Sequence, residues 1–191
     1  MNEFPKVLHP YIKQVHNVEG DGYCGFHAIA SCLGLHQDER YQIRVNLMEE
    51  LETHTTEYGD MFGSEYRFQL YNSLNFFGEE APLQNWMIMP DTGVLIASRY
   101  NVVLHCFIRH ASTTYLPLRS TPPPAHERIV IAIGLIYGNH YVKIELEGEY
   151  PMPPIAPQWI HCKRPCAAEW VTPYIERLNM YNHYYRASFN G

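Results

Sequence analysis

The chain has 191 residues, and its 20 acidic and 14 basic side chains give a formal charge of −6 with histidine neutral. An apolar share of 46 % excludes disordered and fibrous classes, and 191 residues suit one domain with its own core. Scattered Lys and Arg on a mildly acidic chain lack the footprint of a nucleic-acid binder, and the longest apolar stretch, Ile129 to Tyr137, falls short of the ~20 residues of a membrane helix.

In chain order, residues 17 to 23 are dense in turn formers and run into Cys24-Gly-Phe-His-Ala-Ile-Ala-Ser-Cys-Leu33. Phe26, Ile29, Ala30 and Leu33 recur at helical spacing and Gly34 stops the run, which predicts a buried helix with Cys24 at its N-terminus. A second helix fits Asp38 to Glu52, with Asp38 as cap and Ile43, Leu47, Met48 and Leu51 as the apolar stripe. A third covers about Ser64 to Leu74, and residues 75 to 89 read as irregular. A short helix from Asp91 to Ser98 precedes three strands, Val102 to Ile108, Ile129 to Ile136 and Tyr141 to Leu146. The middle strand is apolar on both faces and therefore central. After a proline-rich stretch, a last helix spans Ala167 to Tyr181, with Pro173 near its start or kinking it. Helices first, then a small sheet, then a tail gives an α+β fold, a small central β-sheet packed between helices.

Five cysteines, at 24, 32, 106, 162 and 166, leave one unpaired under any disulfide scheme. With no signal peptide at the N-terminus, the expectation is an intracellular protein, cytoplasmic or nuclear, with reduced thiols. Cys32 and Cys106 read as core. His161-Cys162-Lys-Arg-Pro-Cys166 has one spacing that serves zinc but lacks the second short pair of a structural site, so it reads as a packed tail and no metal or cofactor is expected.

Cys24 is different, because a thiol at the first turn of a helix faces the positive end of the macrodipole, which favours thiolate. The glycine-rich loop before it, Asp21-Gly22-Tyr23, offers backbone N–H groups at close range. From this segment alone, the favoured reading of Cys24 is a small buried hydrophobe. The second chemical feature is Gly138-Asn139-His140-Tyr141, where a histidine at the head of an alternating strand is held rigidly enough to act as a general base. A cysteine on a helix with a sequence-distant histidine is the pattern of a thiol nucleophile and its base. His27, roughly 300° round the helix from Cys24, is a rival base, though too close to the nucleophile to reach across a substrate carbonyl.

Asp21-Gly-Tyr-Cys24-Gly-Phe26 at a helix start, with Asn139-His140-Tyr141 opening a late strand, resembles the ovarian-tumour (OTU) family of cysteine proteases. Trp86-Met-Ile-Met-Pro-Asp91 and Ala97-Ser-Arg-Tyr-Asn-Val-Val-Leu104 resemble that family's short helix and following strand. The resemblance covers about residues 14 to 147, is nearest to OTU-like domains of fungal mobile-element proteins, and leaves 148 to 191 as a proline- and aromatic-rich extension of a single catalytic domain. It implies a papain-type fold and hydrolysis of the isopeptide bond at the C-terminus of ubiquitin or a ubiquitin-like modifier. Polyubiquitin chains are the implied substrate, and the chain would act as a monomer. In that reading Cys24 attacks, His140 moves the proton, and Asp21 braces the loop. Gly22, Tyr23, Asn139, Tyr141 and Trp86 would meet the substrate, with core packing the alternative for Tyr141 and Trp86 and slightly favoured for Trp86. Two departures stand out. Tyr23 occupies a position usually held by Asn or a small polar residue. Val142 stands where many members carry the Asp or Asn that orients the histidine. Among the upstream candidates Asn17, Glu19 and Asp21, and the neighbouring Asn139, the motif ranks Asp21 first. The alternatives are a catalytically weak ubiquitin-binding module, kept alive by Val142 and Tyr23, and another papain-like amidase or acyl-transfer enzyme.

Overall fold

The computed structural model describes residues 3–189. Five strands form one mixed sheet in the order β1-β5-β4-β2-β3, with β1 at Ile12–His16, β2 at Val103–Phe107, β3 at Thr113–Tyr115, β4 at Val130–Ile136 and β5 at His140–Leu146. Among these five strands β2 and β4 pair in parallel, whereas β1–β5, β4–β5 and β2–β3 are antiparallel. The apolar strand β4 is indeed central. Its alternate side chains divide the molecule into two cores: Ile131 and Ile133 join the larger one, and Ala132 joins a smaller one with Phe4, Leu8, Phe107, Val142, Ile144 and Tyr181. Gly134 must be glycine because a Cβ there would lie 2.4 Å from the Phe4 ring and 2.5 Å from Ile144.

Over the larger core lie α1 (Cys24–Cys32) and α5 (Asp91–Tyr100), and α2 (Arg40–Thr53) packs on both of them. The helix α1 buries Phe26, Ala28, Ile29 and Ala30, and each large apolar side chain so buried contributes about 1.5–3 kcal/mol. Its end is a Schellman cap: Leu35 N–H reaches Ala30 O at 2.9 Å, Gly34 N–H reaches Ser31 O at 3.2 Å, and Gly34 takes φ +73°. The helices α3 (Thr55–Phe62) and α4 (Ser64–Leu74) follow; α3 was not legible in the sequence. Asp38 does not cap α2; it lies in the 3₁₀ turn Gln37–Glu39 and pairs with His36 and Arg40.

The C-terminal segment follows the edge of the sheet. Thr114 N–H bonds Pro154 O at 2.8 Å, and Ala156 N–H bonds Thr114 O at 2.9 Å, which covers β3 as an edge. Within a short helix α6 (Pro157–Cys162) the Trp159 indole donates to Pro117 O at 2.9 Å, and beyond it the Trp170 indole donates to Ser120 O at 2.8 Å. Both indoles belong to the larger core with Phe26. The expected helix from Ala167 is instead two 3₁₀ turns, Pro165–Trp170 and Thr172–Tyr174, and the helix α7 runs from Ile175 to Phe189. Pro173 is the reason, since it lacks the N–H and crowds the preceding turn. Among the described residues no helix is long and apolar enough to cross a membrane.

His105, inside β2, gives the fold a pH dependence. Its ring is fully enclosed, with Nδ1 2.9 Å from Thr114 Oγ1 and Nε2 3.1 Å from the Tyr150 hydroxyl. Burial, helped by the positive charge of Arg177, pushes its pKa down to about 3. Unfolded, the ring titrates near ~6.5. The folded value lies below the unfolded one, so this contribution to stability is complete above about pH 6.5. It is lost as pH falls toward 3, by up to about 1.4 kcal/mol per pH unit. Urea unfolding between pH 7.5 and 4.5 is expected to show a shallower loss of stability for His105→Gln than for the natural chain. Parallel slopes would remove His105 as the cause.

Candidate active site

The loop before α1 is held shut by its own backbone and one carboxylate. Asp21 Oδ1 accepts the Tyr23 N–H at 2.9 Å, an Asx-type turn, and the same carboxylate lies 3.0 and 3.1 Å from Nε2 of the buried His27. Arg40 Nε stands 3.7 Å from Asp21 Oδ2. Burial opposes the Asp21 charge, but the hydrogen bonds from His27 and the Tyr23 N–H outweigh it and hold the carboxyl below its ordinary range. Asp21 O accepts the Ala81 N–H at 2.8 Å, and Ala81 O accepts the Trp86 indole N–H at 3.0 Å. Gly22 fits between them at φ +84°.

Cys24 sits at the first turn of α1, 7 % exposed, and its Sγ accepts the backbone N–H of Tyr141 at 3.4 Å. The start of α1 therefore abuts the head of β5, whose first residue is His140. Burial pushes the Cys24 thiol pKa up; the N–H groups of Tyr141 and Gly25 pull it down, and Asp21 adds to the rise. The helix position alone predicts a thiolate, but desolvation wins and the resting group is a thiol. On the other side of the site, His140 Nε2 lies 2.8 Å from Asn17 Oδ1. An amide oxygen only accepts, so the neutral ring carries its proton on Nε2 and keeps the Nδ1 lone pair. Asn17 follows directly on β1, which pairs with β5 from Ile12 to His16, so the sheet itself brings the amide to the imidazole. Gly20 passes close to the same ring: a Cβ on it would lie 4.0 Å from His140 Cε1.

This arrangement of sheet, helix and loop matches a known architecture. A search of solved structures pairs the chain with the viral OTU domain protease from Dera Ghazi Khan virus at a TM-score of 0.51 and 15 % identity, covering 74 % of this chain and 85 % of that one. The chain has the OTU fold. The OTUD1 OTU domain (TM-score 0.49, 13 % identity, 69 % of this chain and 84 % of that one) and the viral OTU domain protease from Farallon virus (0.48, 13 %, 74 % and 88 %) are further matches. No protein-family model matches the sequence, and no curated protein matches it.

Within the OTU fold several sequence expectations change place. Asp21, ranked first to orient His140, faces His27 and the loop backbone; the group on the imidazole is Asn17. Val142 cannot serve because its side chain has no hydrogen-bonding atom and packs into the smaller core. Tyr23 does not line a channel. It is fully buried, its hydroxyl donates to Gly78 O at 2.7 Å, and its ring meets Tyr41 edge-on at 5.5 Å. Trp86 is half-buried and spends its N–H on Ala81 O, so it props the loop. The ring of Tyr141 is in the core, and its backbone N–H meets the thiol. Asn139 is exposed in the β4–β5 turn, where its N–H closes on Ile136 O at 3.2 Å and Tyr137 and Gly138 both take positive φ. His27, the rival base, is locked on Asp21.

Among the described residues, Glu19, Asp21 and His27 bring ligand-type atoms within 4.8 Å of one another, but Asp21 and His27 already bond each other and Arg40 supplies the nearby positive charge. Cys162 and Cys166 are exposed, and the Cys166 thiol donates to Arg119 O at 2.9 Å.

Proposed function

We propose that this chain is a cysteine-dependent deubiquitinase that hydrolyses the isopeptide bond at the C-terminus of ubiquitin or a ubiquitin-like modifier. The observation that carries the reading is the hydrogen bond from His140 Nε2 to Asn17 Oδ1, beside a helix-terminal Cys24 that accepts the next residue's N–H. It supplies the orienting group that Val142 cannot.

In this mechanism His140 Nδ1 takes the thiol proton as the Cys24 sulfur attacks the carbonyl carbon. Because the resting group is a thiol, proton transfer accompanies attack. The carbonyl oxygen becomes an oxyanion held by backbone N–H groups at the start of α1. Tyr23 N–H is committed to Asp21, which leaves this role to the N–H groups on either side of it. Collapse breaks the carbon–nitrogen bond, and His140 returns the proton to the departing lysine amine. Water, deprotonated by His140, then releases the acyl group from sulfur. Asp21 serves as the brace of the loop. The charge of −6 suits a basic partner surface. The reading includes an intracellular monomer whose residues 148–191 form part of one catalytic domain.

Ubiquitin carrying a C-terminal vinyl methyl ester tests it. A covalent adduct at Cys24 supports the hydrolase. Reversible ubiquitin binding without an adduct would replace it with a binding module. Neither adduct nor binding would move the assignment to another papain-like amidase.

A further inference from the structure

Arg44, on α2, is a fully buried guanidinium. Its partners are three backbone carbonyls: Nε donates to Leu74 O at 2.8 Å, Nη1 to Asn85 O at 2.9 Å and Nη2 to Ser73 O at 2.5 Å. No carboxylate is among them. Burial lowers its pKa to about 10, so the charge persists at neutral pH. A buried cation without an anion is expensive, and a core needs no charge at this position. Its acceptors show what the charge does there.

Ser73 and Leu74 end α4, and Asn85 lies just before Trp86 and Met87. The guanidinium thus ties together the two ends of the irregular 75–84 connector, and Asn85 Nδ2 adds its own bond to Ser73 O at 2.9 Å. The connector in turn holds the nucleophile loop. Gly78 O takes the Tyr23 hydroxyl, Ala81 N–H bonds Asp21 O, and Ala81 O crowds Gly22. Just past its neck, Met87 packs so closely on Gly25 that a Cβ there would lie 2.7 Å from its sulfur. The same guanidinium lies 5.2 Å from the Tyr23 ring centroid and 4.7 Å from that of Phe26, the residues on either side of Cys24-Gly25. Three segments distant in sequence meet on one side chain, and two of them end at the thiol.

We propose that Arg44 is a positioning residue for Cys24: it staples the neck of the connector and, through that loop and the Tyr23 ring, sets the backbone N–H array around the nucleophile. The proposal rests on Cys24 being the reactive thiol, and its first two readouts use no ubiquitin.

The experiment compares Arg44→Met and Arg44→Lys with Arg119→Met, which removes the partly buried arginine at Glu50, Glu57 and Tyr58, away from the thiol. Amide hydrogen exchange should lose protection at residues 21–25 and 78–87 in both Arg44 variants while β4 stays protected, and Arg119→Met should leave 21–25 unchanged. Iodoacetamide labelling of Cys24, read by peptide mass spectrometry, should change rate in the Arg44 variants alone. Labelling by the ubiquitin ester should slow about 10- to 100-fold at unchanged reversible affinity, because misplacement acts on the chemical step. Arg44→Lys keeps the charge but cannot span three carbonyls, so it should rescue little. Folded Arg44 variants with natural exchange at 21–25 and natural iodoacetamide rates would overturn the proposal. Failure of both variants to fold would also overturn it, making Arg44 a stability residue only. If the natural chain gives no ubiquitin adduct, the exchange and iodoacetamide results still decide the role of Arg44, and only the deubiquitinase reading falls.

Discussion

Replacing Cys24 with alanine is expected to abolish the adduct with the ubiquitin ester. His140→Ala should slow labelling by about 10²- to 10⁴-fold, the usual weight of a positioned general base, and Asn17→Ala by about 10- to 100-fold. The order follows from what each group does. Without the thiol no bond forms, and without the imidazole the buried thiol keeps its proton, because desolvation holds its pKa up. Without the amide the base is still present, but nothing fixes its ring. Asn17 accepts from Nε2 at 2.8 Å, and that contact selects the tautomer with a free Nδ1 lone pair. The amide is exposed and makes one hydrogen bond worth about 0.5–1.5 kcal/mol, so the variant should fold normally. Labelling rates at saturating probe, with reversible ubiquitin affinity from calorimetry, separate the cases. All three variants should keep the affinity and lose the rate. An Asn17→Ala chain that labels at the natural rate would leave Cys24 and His140 as a dyad, with the amide a surface contact.

The sequence made Cys24 and His140 legible as candidates because each begins a strongly patterned element. Cys24 heads a helix whose apolar spacing and glycine stop agree with the Schellman cap, and His140 heads an alternating strand. Asn17 was one candidate among several because β1 carries almost no pattern. Ile-Lys-Gln-Val-His is mostly exposed and lies at the sheet edge, where burial imposes no alternation. Its pairing with β5 is a long-range fact that local spacing does not encode. Arg44 was hidden for a related reason. The stripe read on α2 was Ile43, Leu47, Met48 and Leu51, and a charge between such residues reads as solvent-facing, yet Arg44 and Glu50 are both buried. The signal available was Tyr23, a bulky residue before Cys24 that required some pocket to receive it. Arg40, Tyr41 and Arg44, on one face of α2, form that pocket together with Gly78.

Gly22→Ala is expected to lower kcat for a fluorogenic ubiquitin C-terminal amide by about 10²- to 10³-fold, comparable to losing an oxyanion donor. Two effects combine at this position. At φ +84° an L-residue is strained by about 1–2 kcal/mol. The added Cβ would also lie 2.2 Å from Ala81 O and 2.9 Å from Trp86 Nε1, contacts no real methyl makes. Ala81 cannot simply retreat, because its N–H is bonded to Asp21 O and its carbonyl to the Trp86 indole. Relief must come from the loop, either by breaking the Asp21–Ala81 bond or by turning the Gly22 peptide, and both re-aim the N–H groups beside Cys24. Gly34→Ala is the matched control. It has φ +73°, a similar strain, but nothing within 4 Å of the new methyl, and it lies past the far end of α1. Both variants should lose thermal stability, and only Gly22→Ala should lose turnover of the amide. If the two variants turn it over equally, backbone strain alone accounts for Gly22, and the Ala81 contact has no part in aiming the loop. If Gly22→Ala turns over slowly but keeps the natural iodoacetamide rate, the loss falls on the oxyanion donors and not on the thiol, which is the outcome this geometry requires.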